Sequence, residues 1–373
     1  MDIFDCELKQ QVIFGDNTIE RLGELTRSLG GSRVLLVTDP GIEKVGILAR
    51  AVSALQSERI AAYVYSDVTS NPTTENVEAA VEVAKTNAPI DFIIGLGGGS
   101  PMDCAKGANF LLTNDGKMED YWGTNKATEP MLPSIGVPTT IGTGSEAQSF
   151  ALISQVDTHI KMACGDKKAR FGTVILDGTL TKTLPRSIAA ITAIDAVAHA
   201  VESYVSTRHN PMSQMFARHA WELLDAHFEV SLGPNSATAR SKMLFGAYLA
   251  GLAIENSMLG AAHACANPLT ARYDVIHGVA VALMLPHVIR FNSTVAGAAY
   301  HELYPDGDIA DRITALNQIG NLPNRLRDYP VQYTIGTADI PTLAEEASTQ
   351  WTAQFNPRPL DIRDFMRLYE QVY

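Results

Sequence analysis

Short apolar runs recur through the first half of the chain, each followed by a longer stretch whose apolar positions fall three or four apart. Residues 33–38 (RVLLVT), 61–65 (AAYVY) and 91–96 (DFIIGL) have the length and composition of buried strands. Between them, 42–55 follows the turn Asp39-Pro40-Gly41, and 75–87 is entered through Asn71-Pro72-Thr73; both carry helical spacing. Strands alternating with helices in this way predict βαβ units and a parallel sheet covered on both faces. Beyond Leu184-Pro185 the pattern changes. Alanine-rich segments at helical spacing occupy 187–206, 212–232, 237–262, 279–291 and 342–354, and strand signals almost vanish. The expected organisation is an α/β domain over 1–185 and an all-α domain over 186–373. No repeat or low-complexity linker separates them, so the junction is expected to be a packed cleft, a favoured place for a ligand.

Composition alters this picture little: 46% hydrophobic and 19% charged residues in 373 are ordinary for a globular enzyme. Such a length buries a core without help from disulfides or metal. The net charge of −12 changes more. It argues against a nucleic-acid partner, whose phosphates want a basic field. It also means that an anionic cofactor must be held by local dipoles. Cys6, Cys104, Cys164 and Cys265 show no CxxC spacing and read as reduced thiols. The N-terminus lacks a basic-then-apolar signal pattern, and the apolar stretch 279–285 stops at Pro286, far short of the ~20 residues of a membrane span. The expectation is a cytoplasmic protein without a membrane partner.

Two glycine-rich segments carry the first candidate chemistry. Gly95-Leu96-Gly97-Gly98-Gly99-Ser100-Pro101-Met102-Asp103 follows a strand and opens a helix. Glycines allow positive φ and close approach of a ligand to the backbone. Ser100 is expected as the N-cap, Pro101 at the first helical position and Asp103 in a capping-box pairing. Free N–H groups at such a helix start attract a pyrophosphate, although the same turn also serves tight packing alone. Residues 138–146 (PTTIGTGSE) form the second segment. Asp39, at a strand end, is placed to accept ribose hydroxyls and to repel a 2′-phosphate, and reads equally as an ordinary turn residue.

The second candidate chemistry is a metal site. Asp195 and His199, four apart in IDAVAHAVE, project from one helix face. His263 (GAAHACANP) and His277 (YDVIHG) follow. One carboxylate and three imidazoles satisfy Fe²⁺ or Zn²⁺ with a position left open. A histidine in an alanine-rich helix also reads as a hydrogen-bonded core residue. An aspartate buried among Ala196, Ala198, Ala200, Ala262 and Ala264, however, is costly without a cation. Glu202, on the His199 face, reads as an exposed carboxylate or a partner of a ligand.

These segments together resemble the iron-containing, group III alcohol dehydrogenases. The resemblance runs through GGGSPMDCAK (97–106), PTTIGTGSE (138–146), DTHIKM (157–162), LPRSIAAITAIDAVAHAVESYVS (184–206), HACANPLTARYDVIHG (263–278), LPHVIRFN (285–292) and NPRP (356–359). It implies the dehydroquinate synthase-like fold of that family, with the site between an α/β and a helical domain. It implies Asp195, His199, His263 and His277 as ligands of Fe²⁺, with Zn²⁺ able to use the same donors. Gly97, Gly98, Gly99, Ser100 and Asp103 would hold the pyrophosphate, and Asp39 would favour NAD(H) over NADP(H). Thr139, Thr140, Thr143 and Ser145 would lie toward the nicotinamide, with Lys161 of DTHIKM also at the cofactor. Thr179, Leu180 and Leu184 would wall the adenine. Residues 8–14 would join a homodimer or larger homo-oligomer. Gln148, Ser149, Ile254 and Phe355 would line a small, mostly apolar substrate pocket, with Asn267 and Arg272 nearby; Arg272 leaves room for an anionic substrate.

The chain departs from the family pattern twice. Asn267 stands where many members carry a second histidine, and before Pro268 it reads as a helix cap. Ala193-Ile194 replaces a glycine before the first ligand, so two short helices read as one. The expected activity is metal-dependent, reversible hydride transfer between a small alcohol or aldehyde and the nicotinamide. Rival readings are a glycerol dehydrogenase-like or maleylacetate reductase-like oxidoreductase, a dehydroquinate synthase-like lyase, and a non-catalytic nucleotide sensor.

Overall fold

The computed structural model describes residues 3–4, 6–87, 89–158, 160–234, 236–330 and 335–373. The chain divides into two compact units. One comprises Glu7–Thr140 with Gly144–Leu184; the other is built on Pro185–Tyr373 and takes in Ile141–Thr143.

In chain order the first unit runs β1 (Gln11–Phe14), α1 (Leu22–Ser28), β2 (Arg33–Val37), α2 (Pro40–Lys44), α3 (Ile47–Ser57) and β3 (Ala61–Tyr65). It continues with α4 (Thr74–Thr86), β4 (Phe92–Gly97), α5 (Gly99–Asn114), β5 (Gly123–Thr124), β6 (Ser134–Pro138), β7 (Phe150–Ser154), β8 (Lys161–Gly165) and β9 (Thr173–Leu176). Six strands form the predicted parallel sheet, in the order β1-β9-β6-β4-β2-β3. Its central strands are apolar on both faces because helices cover both. Val34, Leu36, Phe92, Ile94, Leu96, Ile135, Val137 and Ile175 join Leu48, Ala51 and Leu55 of α3 in one buried cluster. A second sheet, β5-β8-β7, pairs β7 and β8 antiparallel.

Register places the candidate loops. Val37 lies opposite Gly95, and Gly97 opposite Pro138, so the segments that follow β2, β4 and β6 emerge side by side. Gly95 and Gly136 are also paired, and a Cβ on either would lie 2.9 Å from the Phe171 ring. Those two glycines are packing residues. The helix expected over 42–55 is instead two, α2 and α3, because Gly46 adopts a left-handed conformation (φ 80°) between them.

The second unit contains α6 (Arg186–Val205), α7 (Pro211–Ser231), α8 (Ala237–Glu255), α9 (Ala261–Tyr273), α10 (His277–Leu303), α11 (Ile309–Ile319), α12 (Ile340–Ser348) and α13 (Ile362–Val372), with no strand among its described residues. α6 and α10 are long and apolar enough to cross a bilayer, yet most of each is buried in the helical packing, as befits helices apolar on nearly every face. Three expectations change. The segment 237–262 is interrupted after Glu255, so His263 sits near the start of a separate helix, α9. α10 starts at His277 and runs beyond the expected end at 291 to Leu303. Asn267 is not a cap, since α9 runs through Pro268.

Candidate metal centre and cofactor loops

Asp195 and His199 stand one turn apart on α6, which runs as a single helix; His263 is the third residue of α9 and His277 the first of α10. Asp195 Oδ1 lies 3.6 Å from His199 Nε2, 3.5 Å from His263 Nε2 and 3.8 Å from His277 Nε2. Asp195, His263 and His277 each offer one ligand atom within 4.8 Å of the others. The His199 and His263 rings stack, with centroids 5.0 Å apart. Asp195, His199 and His263 are buried.

The donor set fits a cation. Asp195 Oδ1 and His263 Nε2 are buried and face each other without a hydrogen bond. On the far side of the ring, His263 Nδ1 contacts Glu202 Oε2. A proton on Nδ1 turns the Nε2 lone pair toward the Asp195 carboxylate, and two acceptors left face to face in the interior are costly unless a cation lies between them. Burial, opposed by Asp195, pushes the His199 imidazole down to about 4, which keeps it neutral and able to ligate. Burial also disfavours the His263 imidazolium, but Glu202 and Asp195 outweigh it and raise that ring to about 9, so that without a metal ion a second proton on Nε2 takes the place of the cation. Asp195 is held below the usual carboxylate range: burial works against its charge, and the surrounding imidazoles outweigh burial. Glu202 is 4% exposed and bound to a candidate ligand, so it is not the exposed carboxylate that the sequence allowed.

In the first unit, Gly97 has φ 145°, and a Cβ there would lie 2.7 Å from Pro101 Cγ and 3.1 Å from Asp39 Oδ2. A Cβ on Gly98 would lie 3.2 Å from Thr140 Cγ2, and Thr139 N–H donates to the Gly97 carbonyl. Asp39, Gly97, Gly98, Thr139 and Thr140 are therefore neighbours. α5 starts earlier than expected, with Gly98 in extended conformation as its N-cap; Ser100 lies inside the first turn and makes no cap. The first N–H groups of this helix have no intrahelical acceptor and sit on a part-exposed rim. Asp39 Oδ1 accepts from Gly41 and Ile42 N–H as the cap of α2, which leaves Oδ2 beside Gly97.

Asp103 and Ser145 do something the sequence did not suggest. Asp103 makes no capping box. Its Oδ1 accepts from Ser145 Oγ (2.6 Å) and from Lys106 Nζ (3.2 Å), and Lys106 also donates to Ser145 Oγ (2.8 Å). All three are buried, so this network ties the two glycine-rich segments together. Sequence reasoning missed Lys106 because a lysine in an amphipathic pattern reads as a solvated residue. Glu146, 1% exposed, was likewise missed; burial lifts its carboxyl to about 7, with Lys106 pulling the other way.

The other candidates are dispersed. Lys161 opens β8, and its Nζ donates to Asn71 Oδ1; His159 of the same motif lies outside the described residues. Thr143 groups with the helical unit. Thr179 Oγ1 donates to Asp177, and Leu184 is half-buried. Leu180 is 2% exposed within the core cluster, so its side chain offers almost no wall to an adenine. Gln148 is half-buried and Ser149 buried in the first unit. In the second, Ile254 is buried on α8 and Phe355 closes a 3₁₀ turn. Asn267 Nδ2 donates to Gln350 Oε1. Arg272 is exposed and its guanidinium is taken by the Glu346 carboxylate, which removes the expected free cation for an anionic substrate.

Comparison with known proteins agrees along the whole chain. Residues 9–178 match the model of the iron-containing alcohol dehydrogenase family, and residues 189–373 match that of the C-terminal region of the Fe-containing family. Alcohol dehydrogenase 4 of Schizosaccharomyces pombe is 35% identical over 356 residues, spanning 92% of this chain and 83% of the relative. The crystal structure of a 1,3-propanediol oxidoreductase superimposes with a TM-score of 0.95 at 31% identity, covering all of both chains. Sulfoacetaldehyde reductase from Bifidobacterium kashiwanohense, solved in complex with NAD⁺, gives 0.90 at 25% identity, covering 100% of this chain and 99% of that one. The chain therefore belongs to the iron-containing alcohol dehydrogenase family and is an oxidoreductase acting on alcohols and aldehydes.

Proposed function

We propose that this protein interconverts small alcohols and aldehydes with NAD(H), using Fe²⁺ held by Asp195, His199, His263 and His277. The observation that supports this reading most is the buried convergence of Asp195 Oδ1 with three imidazole nitrogens at 3.5–3.8 Å. When bound, the ion lends Lewis acidity to the substrate oxygen, and the nicotinamide takes or returns the hydride. The chain supplies the rest. Asp195 is the one anion among the four donors, and His199 stays neutral beside it. Buried Ala196, Ala198, Ala262 and Ala264 keep water from the donors and lower the local dielectric, which strengthens every charge interaction there. Gly97, Gly98 and Thr140 bring backbone amides to the start of α5, where a pyrophosphate is stabilised.

The NAD(H) preference rests on Asp39, whose Oδ2 sits beside Gly97 and would repel a 2′-phosphate. Asn267 has no titrating atom, so it plays no part in moving the substrate proton. A homodimer is proposed through the edge strand β1, which is preceded by exposed Leu8 and ends on exposed Phe14; the cytoplasm is the proposed location.

The test is NADH oxidation by anaerobic protein loaded with Fe²⁺, or separately with Zn²⁺, across a panel of small aldehydes. NADPH and a chelated control run in parallel. Turnover with Fe²⁺ and NADH, abolished by chelation, is the expected result. Tight NADH and metal binding without turnover of any aldehyde would overturn the proposal.

A further inference from the structure

We propose that Glu202, Asn292 and Asn356 form a buried polar clamp at the start of α9 that fixes His263 in its ligating tautomer and position, with Glu202 the residue on which metal affinity depends. The inference rests on the reading of Asp195, His199, His263 and His277 as ligands.

α9 begins at Gly260, which has no side chain to cap it, although the first N–H groups of a helix need acceptors. Two distant residues supply them. Asn356 Oδ1 accepts from Ala261 N–H (3.2 Å), and Glu202 Oε1 accepts from Ala262 N–H (2.7 Å). Gly260 is what lets them in, since a Cβ there would lie 3.0 Å from both oxygens. Asn356 is itself held by a reciprocal amide pair with Asn292, at 2.9 and 2.7 Å, and by donating to the Arg358 carbonyl at 2.7 Å. Glu202, Asn292 and Asn356 are each at most 4% exposed. The motifs 285–292 and 356–359, which carry no reactive group toward the substrate, thus meet behind the metal centre.

The second oxygen of Glu202 contacts His263 Nδ1. The carboxylate therefore accepts from two donors at once, one per oxygen: a helix-start amide and the imidazole. This holds the ring's proton on Nδ1 and leaves the Nε2 lone pair aimed at Asp195. Glutamine cannot do the same. Its amide offers one oxygen, so its NH₂ must face either Ala262 N–H or His263 Nδ1. The first leaves a buried donor unpaired. The second drives the ring proton to Nε2, the tautomer that cannot ligate there.

The experiment is a titration of metal-free protein with Co²⁺ against a competing chelator, for wild type, Glu202→Gln, Glu202→Asp and Asp195→Ala. Thermal melting and NADH binding serve as readouts of integrity. Glu202→Gln is expected to weaken Co²⁺ binding about 10- to 100-fold, with an altered Co²⁺ absorption spectrum and NADH affinity within about twofold of wild type. Glu202→Asp keeps the carboxylate on a shorter arm and is expected to recover part of the loss. Wild-type Co²⁺ affinity in Glu202→Gln overturns the proposal. Should Glu202→Gln fail to fold, wild-type affinity in Glu202→Asp overturns it, because the shorter arm cannot hold both donors. If Asp195→Ala binds Co²⁺ as wild type does, the ligand reading itself is wrong and the clamp falls with it.

Discussion

Replacing Glu146 by glutamine should stabilise the first unit at neutral pH and leave it unchanged in mild acid. Glu146 is 1% exposed, and its Oε2 has no hydrogen-bond partner among the described residues. Burial raises its carboxyl from 4.5 to about 7, Lys106 pulls it down, and Asp103 adds to the rise. The folded state therefore holds this proton more tightly than the unfolded chain. Below about pH 4.5 both states are protonated and the shift has no consequence. Between about pH 4.5 and the folded value near 7 the unfolded chain ionises while the buried group keeps its proton, so stability is lost as pH rises and the loss levels off once the buried group ionises too. At about 1.4 kcal/mol per pH unit, the gap from 4.5 to about 7 comes to roughly 3.5 kcal/mol. Glutamine has nearly the same shape and never ionises. Urea unfolding of both proteins from pH 4 to 8 should show the variant's advantage growing from near zero toward that ceiling, most steeply between about pH 5 and 7. A difference that is constant across this range, or a variant less stable at pH 8, would refute the assignment of Glu146 as a desolvated, poorly compensated acid.

Lys106→Met should cost about 3–5 kcal/mol, read as a fall in Tm, because buried Asp103 is left without its cation. Gly97→Ala forces a side chain into a positive-φ site, 2.7 Å from Pro101 Cγ. NADH binding followed by fluorescence should weaken at least about tenfold, a change of about 1.4 kcal/mol, with bound metal unchanged. Asp39→Asn keeps an oxygen to cap α2 and removes the charge beside Gly97. The ratio of kcat/KM for NADH to that for NADPH should fall by about tenfold or more, measured with one aldehyde at fixed ionic strength.

β6 and β9, between which no α-helix falls, went unread, while three strands of the parallel sheet, 33–38, 61–65 and 91–96, were legible as short apolar runs set off by helices of ordinary length. The small sheet was not. β5 is two residues long, and β7 and β8 pair over five positions too few to establish a period. Helix ends failed where a single residue decides them against a continuing pattern. Gly46 splits one amphipathic stretch into α2 and α3. The end expected at 291 is overrun to Leu303, and Pro286 lies inside α10, because losing one backbone hydrogen bond matters less there than burying the apolar residues on either side.

The candidate site divides along the same line, between what neighbouring residues determine and what distant ones do. Asp195 and His199 form a local pair four apart, visible to anyone counting helical turns. His263 and His277 could be offered only as further imidazoles until the resemblance placed them in the ligand set, because nothing near them in sequence points at Asp195. The buried polar residues that brace the candidate ligands and the glycine-rich segments were least visible. Glu202 finds its partners at 262 and 263, Asn356 at 261 and 292, and Lys106 at 145. Each is a polar side chain in the interior, where burial without a partner costs more than any local propensity returns. Such a residue is tolerated only if the folded chain brings the complementary group to it. The interior polar residues with distant partners are thus the ones whose loss should disturb this enzyme most without touching a substrate, and burial combined with sequence separation is the criterion that singles them out.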